Sequence, residues 1–126
     1  MKTLTKAERG ELLKMVDMIN KYAIAQEAKP CVVNETYPFE KEQTLIFIDA
    51  IFSERKAWGS TFLGYVIVEA KILDVIPHFV KIEVMKLRPF SLFNESDKLP
   101  KNGDQFRKKK LSITKHYAVV LQEFVF

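Results

Sequence analysis

Cysteine is almost missing from this chain: Cys31 is the only one in 126 residues. A lone thiol can close no intrachain disulfide and cannot build a thiolate-rich metal site. Cys31 stands before Val32 and Val33, with no histidine or cationic cluster beside it, and so reads as a small apolar packing residue and not a nucleophile. Histidine is nearly as scarce. His78 and His116 fall in separate segments without an adjoining acidic or cysteine cluster, which disfavours a zinc site or a triad. The four glycines, at 10, 59, 64 and 103, are isolated, so no glycine-rich phosphate loop is present. With only five prolines besides, a collagenous or low-complexity chain is excluded. No apolar run approaches the roughly 18 residues that span a bilayer. The opening Met1-Lys2-Thr3-Leu4-Thr5-Lys6-Ala7-Glu8 lacks the apolar stretch of a signal peptide. The expectation is a cytoplasmic chain with no cofactor, no metal and no membrane attachment.

What is present is an ordinary globular composition with 48% apolar and 29% charged residues, enough for one core within one domain over 1–126. Charge is distributed unevenly. Residues 1–60 carry nine basic and nine acidic side chains and residues 61–126 carry eleven and seven, so the whole excess of +4 sits in the second half. Five of those cations, Lys101, Arg107, Lys108, Lys109 and Lys110, lie within ten residues. A cationic segment among β-forming runs suits a polyanion and is not a catalytic signature.

Thr5-Lys6-Ala7-Glu8 matches a capping box, in which the Thr5 hydroxyl and the Glu8 carboxylate satisfy free amides at a helix start. Leu12, Val16, Ile19 and Ala23 follow at helical spacing, with Lys14, Asp17 and Lys21 opposite. An amphipathic helix over 5–29 is predicted, stopped at Lys29-Pro30 because the residue before proline avoids the helical region. Residues 34–40 read as a connector. Leu45 to Phe52 shows neither period; it is open to a buried strand or a buried helix, and β-branched and aromatic content favours the strand. Val66, Val68, Ala70 and Ile72 alternate with Tyr65, Ile67, Glu69 and Lys71, and Val80, Ile82 and Val84 resume the alternation after Pro77-His78, which describes a hairpin. Asn94, Pro100 and Asn102-Gly103 mark a loop. Phe106 to Thr114 and Tyr117 to Phe126 suggest a closing hairpin. The predicted fold class is α+β: an N-terminal amphipathic helix on a twisted, mainly antiparallel sheet or small barrel of about five strands over 44–126, OB-like or SH3-like in general architecture.

Three groups of residues carry candidate chemistry. Lys101, Arg107, Lys108, Lys109, Lys110 and Lys115 form a phosphate-binding set, with Trp58 and Tyr117 as stacking surfaces and Phe106 or His116 nearby. The bland alternative is an edge strand protected from aggregation by its lysines. Trp58, beside Arg55 and Lys56, offers a second anchor for a base or a protein partner, unless it folds back over the core. The third group is Glu69-Ala70-Lys71. An E-x-K tripeptide on a strand sets carboxylate and ammonium on one face, and with Asp49 on a neighbouring strand it resembles the PD-(D/E)xK nucleases. That resemblance, over roughly residues 8–71, implies Mg²⁺ held by Asp49 and Glu69, a water positioned or activated by Lys71, and Glu8 or Glu11 as the helical acid. Ile48 replaces the proline of the pattern, and a hairpin follows Lys71 in place of a helix. The competing expectation is a wet sheet face on which Glu69 and Lys71 pair with Lys81 and Glu83.

The reading that follows is a small non-enzymatic module contacting nucleic acid through a basic β-surface, as a monomer or homodimer. Its alternatives are a protein-binding adaptor or inhibitor using a sheet edge and the Trp58 turn, and the Mg²⁺-dependent nuclease with Asp49, Glu69 and Lys71 as catalytic residues.

Overall fold

The computed structural model describes residues 6–52, 62–89 and 101–123. Thr5 of the capping box, the Trp58 turn, and Phe124 to Phe126 lie outside these residues. The elements run α1 (Lys6–Ala25), β1 (Ala28–Val32), β2 (Thr44–Phe52), β3 (Phe62–Ile76), β4 (Phe79–Pro89), β5 (Gln105–Lys109), α2 (Lys110–Thr114) and β6 (Ala118–Glu123). All six strands join one antiparallel sheet in the order β1-β6-β2-β3-β4-β5. The class is α+β. The sheet is open, with β1 and β5 as its edges, so the small-barrel form of the expectation does not hold.

The ambiguous run at Leu45 to Phe52 is a central strand, and its position explains its missing period. Leu45 and Phe47 enter a core with Val66, Val68, Ala70, Ile72, Val80, Ile82, Ile113 and Val120. Ile46 and Ile48 enter a second core on the other face with Met15 and Ile19 of α1, Tyr65 and Val119. A strand buried on both faces has no polar side to alternate with.

Three expectations are corrected. The helix stops at Ala25, earlier than Lys29-Pro30, because Glu27 turns into the left-handed region at φ 56, the conformation that commonly ends helices. The residues beyond it form β1, with Pro30 inside it; proline lacks a donor and is tolerated on an edge strand whose outer side needs none. The closing hairpin is not formed either. A one-turn helix, α2, separates β5 from β6, and β6 inserts between β1 and β2 while β5 pairs with β4.

Two bulges bend the β3–β4 ribbon. Between the pairs Glu69–Lys86 and Ala70–Val84 the extra residue is Met85, and between Ile72–Ile82 and Asp74–Lys81 it is Leu73. A bulge strengthens local twist and bends its strand. In a flat sheet β2 and β5, three strand spacings apart, would be separated by about 14 Å. Instead Lys108 Nζ on β5 reaches Asp49 Oδ2 on β2 at 2.7 Å, across the first core, so the sheet curls over it.

Candidate binding surface at the β3–β4 turn

The face that carries α1 divides into two parts. Around β2 and β6 it is apolar and buried with Met15 and Ile19. Toward β5 it becomes a wing of charged rows set by strand register: Glu69 opposite Lys86, then Lys71, Glu83 and Gln105, then Asp74, Lys81 and Arg107, then Ile76, Phe79 and Lys109. Residues directly opposite one another share a face, so these side chains form one surface.

The inner rows are neutralised. Lys71 Nζ lies 2.6 Å from Glu42 Oε2 and Lys41 lies 3.7 Å from Asp74. A hydrogen bond to Glu42, its charge, and the charge of Glu83 raise the Lys71 pKa above the ordinary 10.5. Lys71 and Glu83 pair across strands as the wet-face expectation has it, whereas Glu69 faces Lys86 and not Lys81. The outer strand, β5, differs. Among the described residues Arg107 and Lys109 make no ion pair, and both are exposed.

At the end of this wing a pocket of about 430 Å³ opens beside the Pro77-His78 turn, lined by Glu35, His78, Phe79, Lys109, Lys110 and Leu111. Two features hold it in place. The Lys110 amide donates to the His78 carbonyl at 3.1 Å, fixing the start of α2 against the turn. Ile113, fully buried, anchors α2 in the first core. The strand period of β5 then turns Arg107 and Lys109 outward and Phe106 and Lys108 inward.

The phosphate-binding set is therefore split. Lys109 and Lys110 meet at the pocket, with Arg107 on the same face. Lys101 and Lys115 are exposed but belong to other segments, Lys101 in the turn where its amide donates to Asp104 Oδ2 at 2.8 Å. Lys108 points to the opposite face, where it is engaged with Asp49 and sits 5.8 Å above the Phe47 ring. Tyr117 packs against the second core and its hydroxyl donates to Asn20 Oδ1 at 3.0 Å, away from the pocket. Phe106 packs against the first core. The His116 ring stands edge-on to Tyr65 at 5.2 Å, and burial, followed by the charge of Lys115, lowers its pKa despite the opposing pull of Asp49. The aromatic residue the sequence reading passed over is Phe79. Its signal was available, because the alternation that buries Val80 and Ile82 sends Phe79 to the side of Lys81.

The nuclease constellation does not converge. Asp49 is in register with Val66, whose side chain is in the first core, and Glu69 with Ile46, whose side chain is in the second. The two carboxylates point to opposite faces of the sheet and cannot share one ion. Lys71 is followed by more strand, not by a helix. Among the described residues no three His, Cys, Asp or Glu side chains are grouped to hold a metal, and no helix is long and apolar enough to cross a membrane. Compared with protein-family models, with characterised proteins and with solved structures, the chain has no match in any of the three.

Proposed function

We propose that this chain is a small non-enzymatic binding module that holds single-stranded nucleic acid, without strong sequence preference, at the β3–β4 turn. The observation that carries the reading is the pocket in which Phe79 and His78 lie beside Lys109 and Lys110. An aromatic face next to cations is the arrangement that stacks a base while neutralising its phosphates. Arg107 and Lys81, paired in register on the same face, extend the cationic track away from the pocket. Glu35 at the rim supplies an acceptor for an exocyclic amine of the stacked base.

Fluorescence anisotropy with labelled oligonucleotides tests this. Binding falls steeply with salt, with a log–log slope of roughly −3 if Lys81, Arg107, Lys109 and Lys110 each neutralise a phosphate at about −0.7 apiece. Phe79→Ala weakens binding by about tenfold, the loss of one stacked base. The doubly substituted K109A/K110A protein lowers both affinity and slope. No binding at micromolar protein in low salt removes the proposal.

The adaptor reading rests on a separate observation, the two five-residue strands at the edges of an open sheet. An edge can add a partner's strand through main-chain hydrogen bonds. A partner retained in a pull-down after nuclease treatment, with no oligonucleotide shift, selects it over nucleic-acid binding.

A further inference from the structure

A second cavity, of about 420 Å³, lies on the same face nearer the helix, within the roughly 300–1,000 Å³ range of small-molecule sites. Its apolar wall comes from Met18 and Ile19 of α1 with Ile46 and Ile67 of the sheet. Its charged wall is Glu69, Lys86 and Arg88. Glu69 is the only buried charged side chain among the described residues, 8% exposed, and a carboxylate at that depth needs a cation. Lys86 stands opposite it in register across the strand pair. Its Nζ also donates to Tyr22 Oη at 3.2 Å and lies 5.7 Å from the Tyr22 ring centre. The Tyr22 hydrogen bond, the Tyr22 oxygen and then the Glu69 charge together raise the Lys86 pKa. Within the lining, the charges of Glu69 and Lys86 offset each other.

Arg88 is left as the net charge of the cavity. It follows Lys86 by two residues on β4 and is in register with Ile67, so it projects to the same face, at the exposed edge of the apolar wall. Its guanidinium presents paired donors that fit a carboxylate. We infer that this cavity binds an anionic amphiphile, a free monocarboxylate with one apolar chain: the chain lies along Met18, Ile19, Ile46 and Ile67, and the head group meets Arg88. An ammonium head would face two cations against one carboxylate, and a neutral head would leave Arg88 unused.

Isothermal titration with dodecanoate, dodecanol and dodecylammonium, each below its aggregation concentration, separates the head-group contribution from the chain. Dodecanoate binds saturably at one site, and dodecylammonium at least about tenfold more weakly. Arg88→Ala removes about tenfold of dodecanoate affinity and leaves dodecanol unchanged; because Arg88 is exposed, this variant keeps the fold. Ile67→Trp fills the cavity and blocks both ligands. The K109A/K110A protein binds dodecanoate as before, so the result is independent of the nucleic-acid surface. Equal binding of carboxylate and ammonium, an R88A protein with unchanged dodecanoate affinity, or no saturable binding overturns the inference.

Discussion

Replacing either partner of the Asp49–Lys108 ion pair uncouples β5 from the centre of the sheet, and the cost can be worked from its geometry. The charged atoms are 2.7 Å apart and the side chains are 16% and 21% exposed. At an effective dielectric of about 20 the direct attraction is roughly 6 kcal/mol. Withdrawing two mostly buried ions from water cancels the greater part of that. A net coupling of about 2 kcal/mol is expected, above the 0.2–1 kcal/mol (about) of exposed pairs. Asp49→Asn and Lys108→Met should each cost about 2 kcal/mol, because each strands the remaining charge near Phe47. The D49N/K108M protein should cost about 2 kcal/mol in all and not about 4, since neither charge is then left unmatched. Urea unfolding followed by circular dichroism, completed as a double-mutant cycle, measures this. The pair is shielded, so the coupling should persist in high salt. Additivity to within roughly 0.5 kcal/mol would refute the reasoning, and would mean that the β4–β5 register alone holds the curl.

His116 makes stability depend on pH. Burial, then the charge of Lys115, holds its folded-state pKa below the ordinary 6.5, so on acidification the unfolded chain takes the proton first; stability is full above pH 6.5 and declines as pH falls from there to the folded value. His116→Gln should flatten that part of a stability-against-pH curve measured by urea titration. Ile113→Ala removes the only buried side chain of α2 and should cost about 2–4 kcal/mol by the same assay, together with the α2 contact that holds the Phe79 pocket. Glu27→Gly relieves a non-glycine residue at φ 56 and should gain about 1 kcal/mol, seen as a higher urea midpoint with unchanged slope.

Several of these features are legible in the sequence where a local period governs them. The alternation through Val66 to Ile72 and Val80 to Val84 predicted the β3–β4 hairpin and the Lys71–Glu83 cross-strand pair. Asn102-Gly103 marked a turn, and Gly103 adopts φ 92, which glycine accepts without strain. What the period could not carry is non-local. β1 spans five residues with proline inside and resembles the tail of a helix until β6, some ninety residues later, pairs with it. Lys108 looked the same as its basic neighbours, and only the curl of the sheet sets it against Asp49. Likewise only the fold sets the Tyr117 hydroxyl against Asn20, on α1. The pocket at Phe79 needed the turn, β5 and the start of α2 to meet.

The insertion of β6 between β1 and β2 also sets an order of assembly. Strands β2 to β5 pair with sequence neighbours, whereas β1 has no sheet partner among the described strands except β6, the last of the six in chain order. Until Ala118 to Val120 have been made, the edge of β2 along Leu45 to Phe47 stands open, and β1 has nothing to join. Leu45, Ile46 and Phe47 along that edge are all apolar and buried in the finished sheet, and open apolar edges recruit strands from other chains. A chain halted before residue 118 should therefore aggregate through β2, so the last strand acts as a built-in chaperone for the centre of its own sheet.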